Sequence, residues 1–90
     1  MKIVINKCFG GFSVNDNIVK MLNLESRYDL EDDRTNTKLI ELIESGEDVN
    51  GEFSDLVVIE IPDDATDYII DEYDGYEHVL YVLDGKIKRV

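Results

Sequence analysis

The 90-residue sequence lacks tryptophan and contains only one cysteine, one histidine and one proline. A single cysteine excludes an internal disulfide, and one cysteine with one histidine argues against a thiolate-imidazole zinc site within the chain. Both features are typical of a reducing compartment. With a single proline and 43% hydrophobic residues, the chain has the composition of a folded domain rather than a disordered segment.

Long apolar runs are also missing. No stretch approaches the roughly 18 to 20 apolar residues of a membrane span. Met1-Lys2-Ile3 leads directly into a predicted strand, unlike a signal peptide. The length suits one modest hydrophobic core. We therefore expect one cytosolic domain over residues 1–90.

Basic residues are scarce, with nine lysines and arginines against 21 acidic residues and a net charge of −12. Such a surface repels nucleic acids and anionic lipids, and it attracts basic proteins at low salt. We therefore expect a basic protein partner, no direct nucleic-acid contact and no membrane contact. Nothing in the sequence indicates a cofactor.

Hydrophobic patterning predicts an α+β domain with the order β-α-α-β-β-β-β. In the first strand, Lys2 to Asn6, the consecutive apolar residues Ile3-Val4-Ile5 are typical of a strand covered on both faces. A first helix is predicted from Val14 to Leu24 with Ser13 as its N-cap. The polar segment from Glu25 to Arg34 is predicted to be a loop.

A second helix is predicted to start at a cap formed by Thr35 or Thr37 and to end at Ser45-Gly46. Its apolar face contains Leu39, Ile40, Leu42 and Ile43. A strand from Leu56 to Ile61 should end at Pro62, which cannot donate to a ladder.

The last third of the sequence predicts a β-meander. Asp74-Gly75 and Asp84-Gly85 each suit a two-residue hairpin turn, in which both central positions need a positive φ. The turns separate strands predicted at residues 68–73, 76–83 and 86–90. The simplest packing places two helices on one face of a mostly antiparallel sheet.

The loop after the first strand is one candidate site, formed by Cys8, Gly10, Gly11 and Ser13. Two glycines before a helix could hold a phosphate on free N–H groups, but the spacing fits neither a P-loop nor a dinucleotide fingerprint. Cys8 could be a nucleophile beside Lys7, with the only histidine, His78, as its base. We favour the simpler interpretation of a tight turn with a small buried thiol, and we predict no catalytic residue.

The acidic, tyrosine-rich meander is the second candidate. Tyrosines ringed by carboxylates suit a basic partner surface, although they could equally be ordinary cross-strand pairs. The residues predicted to bind a partner are Asp63, Asp64, Asp67, Asp71, Glu72, Tyr73, Asp74, Tyr76 and Glu77. Two acidic runs, residues 63–67 and 29–33, could bind a hard cation, but neither has EF-hand spacing. We favour solvated charge there and predict no metal site.

Three blocks of the sequence resemble a group of small, largely uncharacterised bacteriophage proteins. They are the opening residues through Phe12, Ile61-Pro62-Asp63-Asp64, and Glu72-Tyr73-Asp74-Gly75-Tyr76-Glu77. The resemblance implies a phage or prophage origin and an infected bacterial cytoplasm, and it implies no activity. Residues 25–33 and the absence of tryptophan from the tail depart from the group's pattern, which leaves any shared surface function open.

Our leading hypothesis is a non-enzymatic, phage-encoded protein whose acidic surface docks on a basic host protein, as a nucleic-acid mimic or inhibitor. The alternative is a small enzyme or ligand-binding protein that uses the loop from Cys8 to Ser13. In a third interpretation the acidity serves only solubility. Homodimer formation is left open by the sequence.

Overall fold

The structure is a computed structural model that describes residues 1–90. It contains five strands, two α-helices and one 3₁₀ turn, which confirms the predicted α+β class. The elements are β1 (Lys2–Asn6), α1 (Asp16–Met21), the 3₁₀ turn (Asp29–Asp32), α2 (Thr37–Glu44), β2 (Leu56–Glu60), β3 (Asp67–Tyr73), β4 (Tyr76–Leu83) and β5 (Lys86–Arg89). No helix is long and apolar enough to cross a membrane.

The strands are all antiparallel and form two sheets. One is the β1–β2 ladder, in which Lys2 pairs with Glu60 and Asn6 with Leu56. The other is the predicted meander in the order β3-β4-β5. The two sheets are joined by side-chain packing rather than by a shared ladder, because β1 contacts β4 without pairing with it.

The β1–β2 ladder lies in the middle of the molecule and is covered on both faces. On one face, Val4 packs with α1, α2 and the 3₁₀ turn in a core that also contains Leu56. On the other face, Ile3 and Ile5 pack against the meander at Val79. This arrangement confirms the expectation drawn from the apolar residues of β1.

The first helix is shorter than predicted, and its cap was predicted wrongly. Asn15 is the N-cap, because its side-chain oxygen accepts a hydrogen bond from the backbone N–H of Ile18 at 3.0 Å. Ser13 is instead buried, and its carbonyl accepts a hydrogen bond from the Ser54 hydroxyl at 2.7 Å. Val14 forms a β-bridge with Asn50, so tertiary partners hold both residues outside the helix.

The second helix has an unpredicted N-cap and the predicted C-cap. Asn36 accepts a hydrogen bond from the N–H of Leu39, so neither Thr35 nor Thr37 has the capping role. At the other end, Gly46 has a φ of +88° and its N–H donates to the carbonyl of Ile43. A glycine in this conformation after the last turn is the expected helix stop.

Both Asp-Gly turns are confirmed. Asp74 and Gly75 have φ values of +55° and +89°, and Asp84 and Gly85 have +52° and +75°. Two successive positive φ values match the twist of the flanking strands, as in other tight hairpins.

The predicted loop before α2 contains one 3₁₀ turn that buries Leu30 in the helix-side core. Asp29 starts this turn. Its carboxylate accepts hydrogen bonds from the backbone N–H of Glu25 at 2.6 Å and the hydroxyl of Ser26 at 2.9 Å. The N–H of Glu25 and then the Ser26 hydroxyl hold the pKa of Asp29 below its ordinary value.

We expect Asp29→Asn to change how stability depends on pH. Because the folded pKa is lowered, the carboxylate's contribution is present above the unfolded pKa and is lost as the pH falls through the folded pKa. The melting temperatures of native chain and variant should therefore differ at neutral pH and converge on acidification. The matched control is Asp32→Asn in the same turn. A difference in melting temperature between the native chain and Asp29→Asn that stays the same at every pH would refute this assignment.

Candidate functional site

The structure brings the two candidate sites of the sequence together. The β3–β4 turn lies against the loop after β1, and the fully buried side chain of Asn6 links them. The Asn6 amide nitrogen donates to the carbonyls of Cys8 and Gly75, each at 2.8 Å. Its side-chain oxygen accepts from the N–H of Asp55 at 2.8 Å, so one residue holds three segments together.

Gly75 packs directly on the glycine pair of the loop. A Cβ added at Gly75 would lie less than 3.0 Å from the backbone nitrogens of Gly10 and Gly11. The hairpin turn thus lies where a phosphate on those nitrogens would have to sit. The remaining surface is a shallow hollow lined by Gly10, Gly11, Glu72, Asp74 and Gly75.

Cys8 and Ser13 show contacts typical of structural residues. The Cys8 thiol is half-buried, and its sulfur lies 3.9 Å from the carbonyl oxygen of Phe9. Nδ1 of His78 lies 3.0 Å from Nη2 of Arg89. No hydrogen bond joins His78 to Cys8. The contacts of this loop therefore favour the tight turn over the ligand site.

Glu77 does not belong to the exposed acidic surface, which corrects its assignment as a partner contact. It is only 6% exposed and accepts two hydrogen bonds from the Arg34 guanidinium, at 2.7 and 2.8 Å. It also accepts from the backbone N–H of Asn6 at 2.7 Å. The Arg34 guanidinium lies 4.0 Å above the ring centre of Phe12, so the pair is enclosed by the fold.

The tyrosines at the β3–β4 turn differ in their exposure. Tyr76 is half-buried, with its ring centre 5.2 Å from that of Phe9 and 5.2 Å from the ammonium of Lys7. Tyr73 lies opposite Tyr76 in the β3–β4 ladder and is 77% exposed. Of these two predicted contact residues, Tyr73 therefore presents the larger free surface.

The other predicted contact residues are divided between the two ends of β3. Asp63, Asp64 and Asp67 lie at or before its start, Asp71 lies within the strand, and residues 72–74 lie at its end. At about 3.3 Å per residue, a seven-residue strand separates these groups by about 20 Å. The amino terminus of Met1 binds the Asp63 carboxylate, and this contact lowers the pKa of Asp63.

Charge is exposed over the whole surface. Of the 21 acidic residues, 20 are exposed and only Glu77 is buried. Three of those 20, Asp16, Glu44 and Asp63, lie within 4.0 Å of a cation, which leaves 17 carboxylates without one. No group of three or more histidine, cysteine or carboxylate side chains is arranged to hold a metal ion.

Asn6 and Arg34 organise this region and were not identified from the sequence. Asn6 directly follows three buried apolar residues, and a polar residue in that position signals a buried hydrogen-bonding role. Arg34 is the only basic residue in the segment 28–37, but nothing local shows which carboxylate it binds.

The comparisons with known proteins add no relative. The chain matches no protein-family model, no curated protein and no solved structure.

Proposed function

We propose that this chain is a phage-encoded acidic binding protein that docks on a basic host protein in the bacterial cytoplasm, as a nucleic-acid mimic or inhibitor. The observation that carries the proposal is the set of 17 exposed carboxylates without a cation within 4.0 Å. Only one carboxylate of the chain, that of Glu77, is paired inside the fold, with Arg34. The charges of the 17 are therefore available to an external partner.

Electrostatics favours a partner that normally binds phosphates. Lysines and arginines that neutralise a nucleic-acid backbone can bind carboxylates through the same charge-assisted hydrogen bonds. At physiological salt the Debye length is about 8 Å, so the closely spaced charges of a surface act together on a docked partner. Long-range attraction also raises the rate of encounter.

The β3–β4 turn is the best-defined anchor on this surface. Tyr73 lies between Glu72 and Asp74, and exposed tyrosine is a common centre of binding energy. Asn6 fixes the carbonyl of Gly75, and Glu72 accepts a hydrogen bond from the Gly75 N–H at 2.7 Å. A turn held this way loses little conformational entropy when it binds.

The test is capture of a host protein from bacterial lysate on the immobilised chain, followed by binding measurements with variants. Asp74→Asn should weaken binding about threefold to tenfold, because it removes one charge-assisted contact at the anchor. Asp84→Asn is the matched control, since both aspartates precede a glycine in turns with nearly equal φ values. Equal affinity for both variants would exclude the β3–β4 turn as the contact.

Binding measurements with the same captured partner also distinguish this proposal from the alternative, in which the Cys8–Ser13 loop is the functional site. Cys8→Ala removes the thiol of a half-buried side chain and should leave binding unchanged. Loss of binding or of an associated activity by a folded Cys8→Ala chain would instead support a site in the loop.

A further inference from the structure

The meander has a second face that points away from the β1–β2 ladder, which we call the outer face. Residues directly opposite each other in an antiparallel ladder share a face, and Tyr68, Ile70, Val79 and Tyr81 pack inward. The outer face therefore consists of the odd-numbered residues 67–73 of β3, the even-numbered residues 76–82 of β4, and Ile87 and Arg89 of β5.

Its centre is apolar and uncovered. Ile69, Leu80, Val82 and Ile87 form what we call the outer patch, in which Ile69 is 58% and Ile87 75% exposed. The register places Asp67, Val82 and Ile87 in one row across the sheet, with Ile69, Leu80 and Arg89 in the next. A contiguous apolar patch bordered by charges is typical of an interaction surface.

Charge is distributed asymmetrically across the same sheet. The edge strand β3 carries three acidic residues, and the edge strand β5 carries three of the nine basic residues of the chain. The acidic residues of β3 are Asp67, Asp71 and Glu72; the basic residues of β5 are Lys86, Lys88 and Arg89. Of these, Asp67, Asp71 and Arg89 lie on the outer face, whereas the other three pair with residues of the inner face. The outer face is therefore negative along its β3 edge and positive at Arg89 on its β5 edge.

We propose that two copies of this chain form a homodimer by packing their outer patches together around a twofold axis parallel to the strands. This axis places β3 of each copy opposite β5 of the other, and β4 over its own counterpart. The contact between unlike charges therefore occurs twice, once at each edge of the interface. Arg89 of one copy lies opposite Ile69 of the second copy, between Asp67 and Asp71. Leu80 and Val82 each meet their counterparts at the centre.

Self-complementary charge is the reason for assigning the face to a second copy. A uniformly basic partner would be attracted by β3 and repelled by β5, whereas a second copy satisfies both edges. The net charge of −12 opposes association, but repulsion between exposed charges farther apart than about 8 Å is largely screened at physiological salt.

The size of the face predicts a weak dimer. Three strands at about 4.8 Å spacing and up to eight residues at about 3.3 Å each give roughly 350 Å² of flat area. Stable interfaces bury about 800 Å² per partner. We therefore expect a dissociation constant of roughly 100 μM for the dimer, near the weak end of specific association.

Sedimentation of the full chain from about 10 μM to about 1 mM tests this proposal. The mass should rise from the monomer's 10.3 kDa towards twice that value. Ile87→Glu should keep the chain monomeric, because it places a negative charge opposite Asp67 of the second copy. Phe53→Glu, at an apolar side chain of similar exposure elsewhere (62%), should not weaken the dimer.

Charge exchange tests the axis itself. Arg89→Glu alone should weaken the dimer at least about tenfold, or 1.4 kcal/mol, and Arg89→Glu combined with Asp71→Arg should restore it. Circular dichroism verifies that each variant is folded. A native chain that stays monomeric at about 1 mM, an Ile87→Glu chain that dimerises equally, or a double variant without rescue would each overturn the proposal.

Discussion

Glu77→Ala is expected to destabilise the chain by about 3–5 kcal/mol, the cost of leaving one partner of a buried ion pair uncompensated. Glu77 binds Arg34 through two hydrogen bonds and also accepts the N–H of Asn6. Both side chains of the pair are less than one-tenth exposed. Its removal leaves the guanidinium of Arg34 without a counter-charge, with only the carbonyls of Glu31 and Val4 as acceptors. It also leaves the N–H of Asn6 without an acceptor, and each loss is costly in the low-dielectric interior.

Urea denaturation followed by circular dichroism measures this effect. A chain of 90 residues has a stability of roughly 5–13 kcal/mol, so the variant should retain about 0–10 kcal/mol and unfold at a much lower urea concentration than the native chain. Glu60→Ala, at an exposed carboxylate on β2, is the control and should cost less than about 1 kcal/mol. Similar midpoints for the two variants would show that the buried pair is not structurally important.

Gly75→Ala is expected to cost about 2–5 kcal/mol, from two separate causes. Its φ of +89° is a conformation that costs alanine about 1–2 kcal/mol. The added Cβ would also clash with the nitrogens of Gly10 and Gly11, so the turn must move off the loop. Overpacking of this kind costs about 1–3 kcal/mol.

Gly85→Ala isolates the first cause. Gly85 occupies the equivalent position of the β4–β5 turn with a φ of +75°, and nothing lies within 4 Å of an added Cβ. Chemical denaturation should therefore show a loss of only about 1–2 kcal/mol for Gly85→Ala. If both variants lose the same stability, the packing of the β3–β4 turn on the loop contributes nothing.

Much of the fold could be predicted because local signals specify it. Three features were predicted from neighbouring residues alone: the strand β1, the glycine stop after α2 and the two Asp-Gly turns. Each depends on backbone conformation or on periodicity, which local sequence determines. The N-cap of the first helix was predicted wrongly for a tertiary reason. Ser13 is held by Ser54, 41 residues later, and no local pattern could show that this contact replaces the cap.

The candidate site could be predicted only in part. The acidity and the exposed Tyr73 are visible in the sequence, but the contact of the β3–β4 turn with Gly10-Gly11 joins segments about 65 residues apart. Glu77 shares its strand parity with the inward-facing Val79 and Tyr81, which could have indicated its burial. Its partner Arg34 lies 43 residues away in a polar segment, and only the folded chain shows the pairing.

The proposed function depends on attraction between this acidic surface and a basic host protein. The most direct measurement is capture from host lysate on the immobilised chain at about 0.05 M and about 0.5 M salt, where screening differs strongly. We expect a basic, nucleic-acid-binding protein to be retained at the lower concentration and to lose at least about tenfold in affinity at the higher one. A partner retained equally at both concentrations, or no specific partner at either, would contradict the proposal.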